Sequence, residues 1–254
     1  MEVYLQWKEL LKAGVDLPFW QDFYVKFYQA FIEADRWKRY LEGVGSTLVI
    51  TALALILGVI LGVVVALVRT SHDQQRIGRR NPVLGFFNGV CKVYVTVIRG
   101  TPMLVQLLIM NFVIFSTSRN HTAVGVLTLG INSGAYVAEI IRGGLMSLDP
   151  GQAEAGRSLG LNYIDTMRFI VVPQAFKTIL PALSNEFITL LKDTALIYTI
   201  GGKELVYAAQ AIATRTYEQM FPLVGSALIY LVLVMIFTWL QNILERRLRQ
   251  SDRR

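Results

Sequence analysis

Five polar side chains lie inside stretches of the chain that are otherwise apolar. They are Asn111, Asn132, Glu139, Glu186 and Asp193. Ionisable groups in an apolar medium are costly, so each one is expected either to serve a functional site or to pair with another polar group. On helices, Asn132 and Glu139 share one face, and Glu186 and Asp193 share another. The structural alternative is that Glu139 pairs with Arg142, or Lys192 with Asp193, and the spacing leaves the functional and the structural reading open.

The composition indicates an integral membrane protein. Hydrophobic residues make up 54% of the 254 residues, and the mean hydropathy is +0.46, well above a soluble domain. The net charge of +7 comes from basic residues beside the apolar runs, a pattern of membrane topology rather than of nucleic-acid binding. Cys91 alone cannot form an internal disulfide. His72 and His121 have no second ligand at metal spacing and are predicted to be solvated loop residues.

The apolar runs predict an all-α, polytopic protein with about five transmembrane helices. The predicted spans are residues 48–68, 101–115, 123–145, 179–200 and 223–244. Gly58 and Gly62 share one face of the first span and would allow another helix to approach closely. The second span is predicted to begin at Thr101-Pro102, a helix-start signal. Residues 86–98 then form an interfacial or re-entrant lead-in; one long helix kinked at Pro102 is the alternative.

The charged segments predict the orientation of these spans. Arginines follow the first span and also end the chain, and the positive-inside rule places both regions in the cytoplasm and the N-terminus outside. Residues 1–42 are predicted to be an extracytoplasmic segment, and residues 43–250 the transmembrane domain. Within 1–42, aromatic residues recur every three or four positions, which predicts an amphipathic helix that lies in the membrane interface or packs on neighbouring spans.

A polar, amphipathic stretch at about 150–176 separates the third and fourth spans and is predicted to be cytoplasmic. Its spacing, Glu154-Ala155-Gly156, then Gly160, then Ile170 and Pro173, resembles the EAA loop of bacterial ABC importer permeases. In that family the loop forms a short helix that inserts into a cleft on a partner ATPase. The coupling residues that the resemblance implies are Glu154, Ala155, Gly156, Leu159, Gly160 and Pro173. Gly156 departs from the usual alanine, and Val172 from the usual leucine.

Three further segments narrow the resemblance to the polar amino-acid importers of the histidine/glutamine/arginine type. They are RGTPMLVQL from Arg99, AYVAEIIRGG from Ala135 and LLKDTAL from Leu190. The resemblance implies a type I permease subunit in the cell membrane that moves polar or charged L-amino acids inward by alternating access. The residues then predicted to line the path of the substrate are Asn111, Asn132, Glu139, Glu186 and Asp193.

The sequence contains no G-x-x-x-x-G-K-[ST] phosphate loop. We therefore expect no enzymatic activity and no cofactor in this chain, with ATP hydrolysed by a separate subunit. The resemblance implies two ATPase subunits, a second identical or homologous permease chain, and an extracytoplasmic substrate-binding protein. An ion-gradient-driven secondary transporter is the main alternative. A membrane enzyme is disfavoured because the metalloprotease motif HExxH does not occur.

Overall fold

The computed structural model describes residues 2–75 and 81–251, and these ranges contain eleven α-helices and no strand. The helices are α1 (Glu2–Lys12), α2 (Phe19–Phe31), α3 (Arg36–Asp73), α4 (Pro82–Gly100), α5 (Met103–Ile109), α6 (His121–Met146), α7 (Pro150–Ser158), α8 (Tyr163–Thr166), α9 (Val172–Asp193), α10 (Leu205–Thr216) and α11 (Met220–Ser251). A π-helical turn extends α5 over Met110–Ile114. A second π-helical turn joins α8 to α9 over Met167–Val171. A 3₁₀ segment follows α9 over Thr194–Ile200. Five of the arginines that predict the orientation of the spans lie outside the described ranges: Arg76, Arg79, Arg80, Arg253 and Arg254.

Four helical segments in the described ranges are long and apolar enough to cross a membrane. They are Glu33–Asp73, Pro82–Gly100, His121–Met146 and Met220–Leu248. Three of them contain the predicted first, third and last spans, so the all-α membrane architecture is confirmed. The remaining apolar stretches form the shorter helix Met103–Ile114 and α9.

The course of residues 82–102 is a continuous helix followed by a break. Helix α4 is one of the four apolar segments of membrane-crossing length. It does not continue as one kinked helix through Pro102, because Thr101 and Pro102 are extended, with ψ of 146° and 136°. Proline disfavours helical geometry in the residue before it, which explains the break. The Gln106 side chain spans it, donating to the Ile98 carbonyl at 2.7 Å.

The predicted fourth span, 179–200, is also corrected. Helix α9 begins earlier, at Val172, and ends at Asp193, before the 3₁₀ segment. It carries charged side chains at both ends and is not among the apolar segments of spanning length. Its buried residues, including Ile188, Leu190 and Leu191, face the rest of the bundle.

Among the described helices, α3 and α6 form the most extensive contact. A Cβ placed on Gly58 would lie 2.8 Å from the Cβ of Ser133, and one on Gly62 would lie 2.7 Å from the Cβ of Val137. Real side chains do not approach so closely, so glycine allows the two backbones to meet. The close approach predicted at Gly58 and Gly62 is confirmed.

Residues 201–221, which connect the predicted fourth and last spans, contain a helix that the sequence did not reveal. Helix α10 buries Leu205, Ala209 and Ile212 against the bundle. Glu204 caps this helix: its carboxylate accepts from the backbone N–H of Tyr207 at 2.7 Å. The Tyr230 hydroxyl of α11 donates to the same carboxylate at 3.0 Å. Glu204 therefore ties α10 to α11.

The stability of this junction should depend on pH through Glu204. Burial raises the pKa of its carboxyl to about 6. Because this value exceeds that of the unfolded chain, the contribution is complete below about pH 4.3 and is lost as the pH rises through 6. We expect Glu204→Gln to remove a decline on the order of 2 kcal/mol between pH 4 and 7. Thermal unfolding of both proteins in detergent across this range measures it, and parallel pH curves would contradict it.

Candidate coupling segment and polar path

Helix α7 is a short helix with well-defined start and stop signals. The Asp149 carboxylate accepts from the Gly151 N–H at 2.8 Å, and Pro150 occupies the first turn. At the other end, the Gly160 N–H donates to the Arg157 carbonyl at 3.0 Å. Gly160 has a φ of +83°, a left-handed conformation that favours glycine. Residues 150–160 thus form a compact helix and turn, as the resemblance implied.

The predicted coupling residues divide between two faces of α7. Glu154 and Ala155 are exposed, and Leu159, just after the helix, is 80% exposed. Gly156 is buried instead: a Cβ there would lie 2.8 Å from Ile170 Cδ1 and 2.9 Å from Thr166 Cγ2. The glycine in place of alanine therefore fits the packing of α7 on its own chain and is not part of the exposed face.

Pro173 is exposed in the first turn of α9, just after the π-helical turn. Sequence reasoning missed three apolar side chains in the same region, Tyr163, Ile164 and Phe169, which are 55%, 72% and 62% exposed. The sequence did contain a signal for these residues, because large apolar side chains are unusual in an otherwise polar loop. Together with Leu159 they give this end of the molecule an exposed apolar surface, which suits protein docking.

Hydrogen bonds join this segment to the long helices. The Tyr163 hydroxyl donates to Gln74 Oε1, just after α3, at 2.5 Å. The Gln174 amide in α9 donates to Gln152 Oε1 in α7 at 3.0 Å. A displacement of this segment would therefore act on α3 through Tyr163 of α8 and on α9 through Gln152 of α7, as well as on α6 through the chain.

The turn at Gly160 gives a test of the geometry of this segment. We expect Gly160→Val to uncouple ATP hydrolysis from uptake while the protein still inserts into the membrane, because valine is strongly disfavoured at positive φ. Gly160→Asn should retain most coupling, since asparagine tolerates this conformation. Uptake per ATP hydrolysed in reconstituted vesicles distinguishes the two variants. Normal coupling in the valine variant would count against the role of the turn.

A second group of polar side chains follows one face of α6. Asn132 donates to Gln106 Oε1 at 2.9 Å. The guanidinium of Arg99 lies over the Tyr136 ring, 5.1 Å from its centroid, and 3.9 Å from Glu139 Oε2. The predicted residues Asn132 and Glu139 thus belong to one polar strip.

Glu139 is paired with three arginines. Its carboxylate contacts Arg69 of α3, Arg142 one turn along α6 at 3.1 Å, and Arg99 at 3.9 Å. The pairing with Arg142 that the sequence left open is present. Sequence reasoning missed Arg69, assigned to a loop, and Arg99, noted only within a motif. One carboxylate among three guanidinium groups leaves a local excess of positive charge.

The other predicted residues lie apart from this strip. Glu186 is 9% exposed and accepts from Ser133 Oγ at 2.8 Å. Asn111 is 2% exposed and is hydrogen-bonded to His121 Nδ1 at 2.8 Å. Asp193 lies at the C-terminal end of α9. The five residues therefore do not converge on a single site.

The expectation that both histidines are solvated loop residues is wrong. His121 begins α6 and contacts Asn111, and His72 lies in the last turn of α3, with its Nδ1 3.1 Å from the Asn88 amide. Both side chains bridge helices, which the sequence could not show without the helix pairing.

Comparisons with known proteins agree with the fold and the segments described above. Residues 82–250 match the family described as binding-protein-dependent transport system inner membrane component. The chain is 37% identical over 215 residues to the arginine transport system permease protein ArtQ of Bacillus subtilis, covering 84% of this chain and 93% of the relative. It is 34% identical over 213 residues to the glutamine transport system permease protein GlnP of Escherichia coli, covering 82% and 92%.

Solved structures show the same similarity. A crystal structure of an amino acid ABC transporter with histidines aligns with a TM-score of 0.74 and 40% identity, over 83% of this chain and 94% of that one. The MetNI methionine ABC transporter, at 19% identity, shares the fold with a TM-score of 0.70, over 86% and 99%. The chain is thus a multi-pass membrane protein that belongs to the family of binding-protein-dependent transport system inner membrane components.

Proposed function

We propose that this chain is the membrane permease subunit of an ATP-driven importer that carries a polar or charged L-amino acid into the cytoplasm by alternating access. The observation that carries the proposal is the α7 segment, whose exposed Glu154, Ala155 and Leu159 stand at one end of the bundle. A surface of this kind suits insertion into a cleft on a separate ATPase. The relatives named for arginine and glutamine transport support an amino-acid substrate.

The proposed assembly contains two ATPase subunits, a second permease chain and an extracytoplasmic binding protein. The need for a second permease chain follows from the polar strip on α6, because Tyr136 is 37% exposed and the Arg99 side chain 42% exposed. Polar groups open to lipid would be costly, so we expect another protein surface to face them. We also propose that the N-terminus lies outside and that α7 faces the cytoplasm.

The charge of the strip indicates which part of the substrate it receives. Arg69 and Arg142 contact Glu139 closely, whereas Arg99 stands 3.9 Å away and is the most exposed of the three. A guanidinium in this position can bind a carboxylate with two parallel hydrogen bonds. We propose that Arg99 binds the α-carboxylate of the amino acid, and that Glu139 chiefly orients the arginines.

Reconstitution tests the proposed function. The chain is co-expressed with a candidate ATPase and a candidate binding protein from the same genome, purified, and assayed for uptake of a set of amino acids into vesicles. ATP-dependent uptake that requires all components is the expected result. Uptake by this chain alone, driven by an ion gradient, would instead support the secondary transporter, which the family assignment already disfavours.

Loss of Arg99 should weaken substrate transport specifically. We expect Arg99→Ala to raise the KM for uptake by roughly tenfold or more, since hydrogen bonds to charged groups contribute about 1.5–3 kcal/mol. The matched control is Arg119→Ala, in the exposed turn before α6, which should leave KM unchanged. Equal effects of the two substitutions, or a change in kcat alone, would contradict the assignment.

A further inference from the structure

Residues 2–31 form a helical hairpin at the start of the bundle. The predicted aromatic stripe lies on α2, whose two sides differ in character. One side carries Phe19, Trp20, Phe23, Tyr24 and Phe27; the other carries Gln21, Asp22, Lys26 and Gln29. Helix α1 covers only the edge of the aromatic side, where the Tyr4 and Tyr28 ring centroids are 4.2 Å apart and those of Trp7 and Tyr24 are 5.9 Å apart.

The hairpin is fixed to the beginning of α11. The ring of Phe221, in the first turn of α11, lies 4.9 Å from that of Phe23 and 6.4 Å from that of Phe27. On the polar side, Lys26 pairs with Asp22 at 2.8 Å and lies 3.8 Å from Glu218. These contacts hold α2 at the end of the bundle opposite α7.

The same aromatic side remains largely uncovered. Phe19 is 68% exposed and Trp20 is 75% exposed, and uncovered aromatic patches mark an interaction surface. Phe221 is 7% exposed beneath these rings, and the residues that follow it on the same face of α11 are exposed and apolar, among them Val224 and Leu228 at 51% and 57% exposure. A helix of spanning length presents such residues to lipid.

We infer that the aromatic face of α2 is a lipid-binding surface that lies in the interfacial region of the bilayer beside the start of α11. Aromatic rings concentrate at this depth, where an apolar body and a polar edge each find a suitable medium. Helices that lie in the interface carry their polar residues on the opposite side, as α2 does with Asp22 and Lys26. The continuity with α11 favours lipid over a soluble partner. The hairpin thus serves as a peripheral membrane anchor.

Tryptophan fluorescence of the full chain in phosphatidylcholine vesicles tests the inference. The variant W7F/W37F/W239F retains Trp20 alone, and W7F/W20F/W37F retains Trp239, which is 62% exposed in the α11 span. A water-facing reference carries Ser158→Trp without the four native tryptophans. We expect brominated lipids to quench Trp20 to within about twofold of Trp239, with aqueous iodide quenching only the Ser158→Trp protein.

Two results would overturn the inference. Quenching of Trp20 by iodide but not by brominated lipid would place the face in water. Protection from both quenchers would show that protein covers it, a second copy of this chain included. Labelling the unmodified chain in its membrane with a photoreactive phosphatidylcholine gives an independent measurement. Label on the peptide that contains Phe19 and Trp20 is expected, and its absence alongside labelled α11 peptides contradicts the proposal.

Discussion

Replacing Leu159 by aspartate is expected to weaken binding of the ATPase at least tenfold and to abolish coupled uptake. The side chain is 80% exposed at the end of α7. Burying a leucine in a cleft contributes about 1.5–3 kcal/mol, and each 1.4 kcal/mol changes an affinity by about tenfold. Aspartate removes this contribution and adds the cost of desolvating a charge. The fold should be unaffected, since Leu159 makes little contact within the chain.

The measurement is retention of the ATPase on immobilised permease, followed by uptake in vesicles. Tyr217→Asp is the matched control, because Tyr217 is 95% exposed in the connection between α10 and α11, at the opposite end of the molecule. It should bind the ATPase normally. If the Leu159→Asp protein retained the ATPase as well as the control does, α7 would not be the docking helix.

Replacing Gly62 by leucine is expected to destabilise the fold by at least about 3 kcal/mol, at the upper end of overpacking effects. A Cβ at this position would already lie 2.7 Å from the Cβ of Val137 and 3.0 Å from the backbone nitrogen of Ala138. The backbone of α6 cannot move aside as a flexible side chain would. The three further carbons of leucine would force α3 and α6 apart along much of their contact.

Gly45→Leu is the matched control on the same helix, because a Cβ at Gly45 meets nothing within 4 Å. There leucine should be neutral or stabilise the helix by up to about 1 kcal/mol. The two proteins are compared by the monodisperse fraction after detergent extraction and by the thermal midpoint. Similar values for both would show that the contact between α3 and α6 is looser than described.

Sequence patterns predicted those features that depend on neighbouring residues. Length and hydropathy located three of the long apolar helices, and the resemblance to the EAA loop located the short helix α7. The pairing of Arg69 with Glu139 could not be found in this way. This pairing depends on how α3 and α6 pack against each other, because Arg69 and Glu139 are 70 residues apart in the sequence. Gly156 is likewise buried because Thr166 and Ile170 pack against it, which the sequence alone does not show.

Short amphipathic elements were the other source of error. Helix α10 has only 12 residues, and its burial depends on Glu204 reaching Tyr230 across the bundle. The break after α4 was located correctly at Thr101 and Pro102, but hydropathy could not show that the preceding residues form a helix of membrane-crossing length.

The glycine contact between α3 and α6 has a mechanical consequence. Helix α3 has 38 residues, a length of about 57 Å at 1.5 Å per residue, and it meets α6 nearly backbone to backbone. Because Gly58 and Gly62 bring the two backbones together, we expect the two helices to move as one rigid unit. The coupling segment contacts one end of this unit through the hydrogen bond between Tyr163 and Gln74. We expect a tilt applied there to move the opposite ends of both helices.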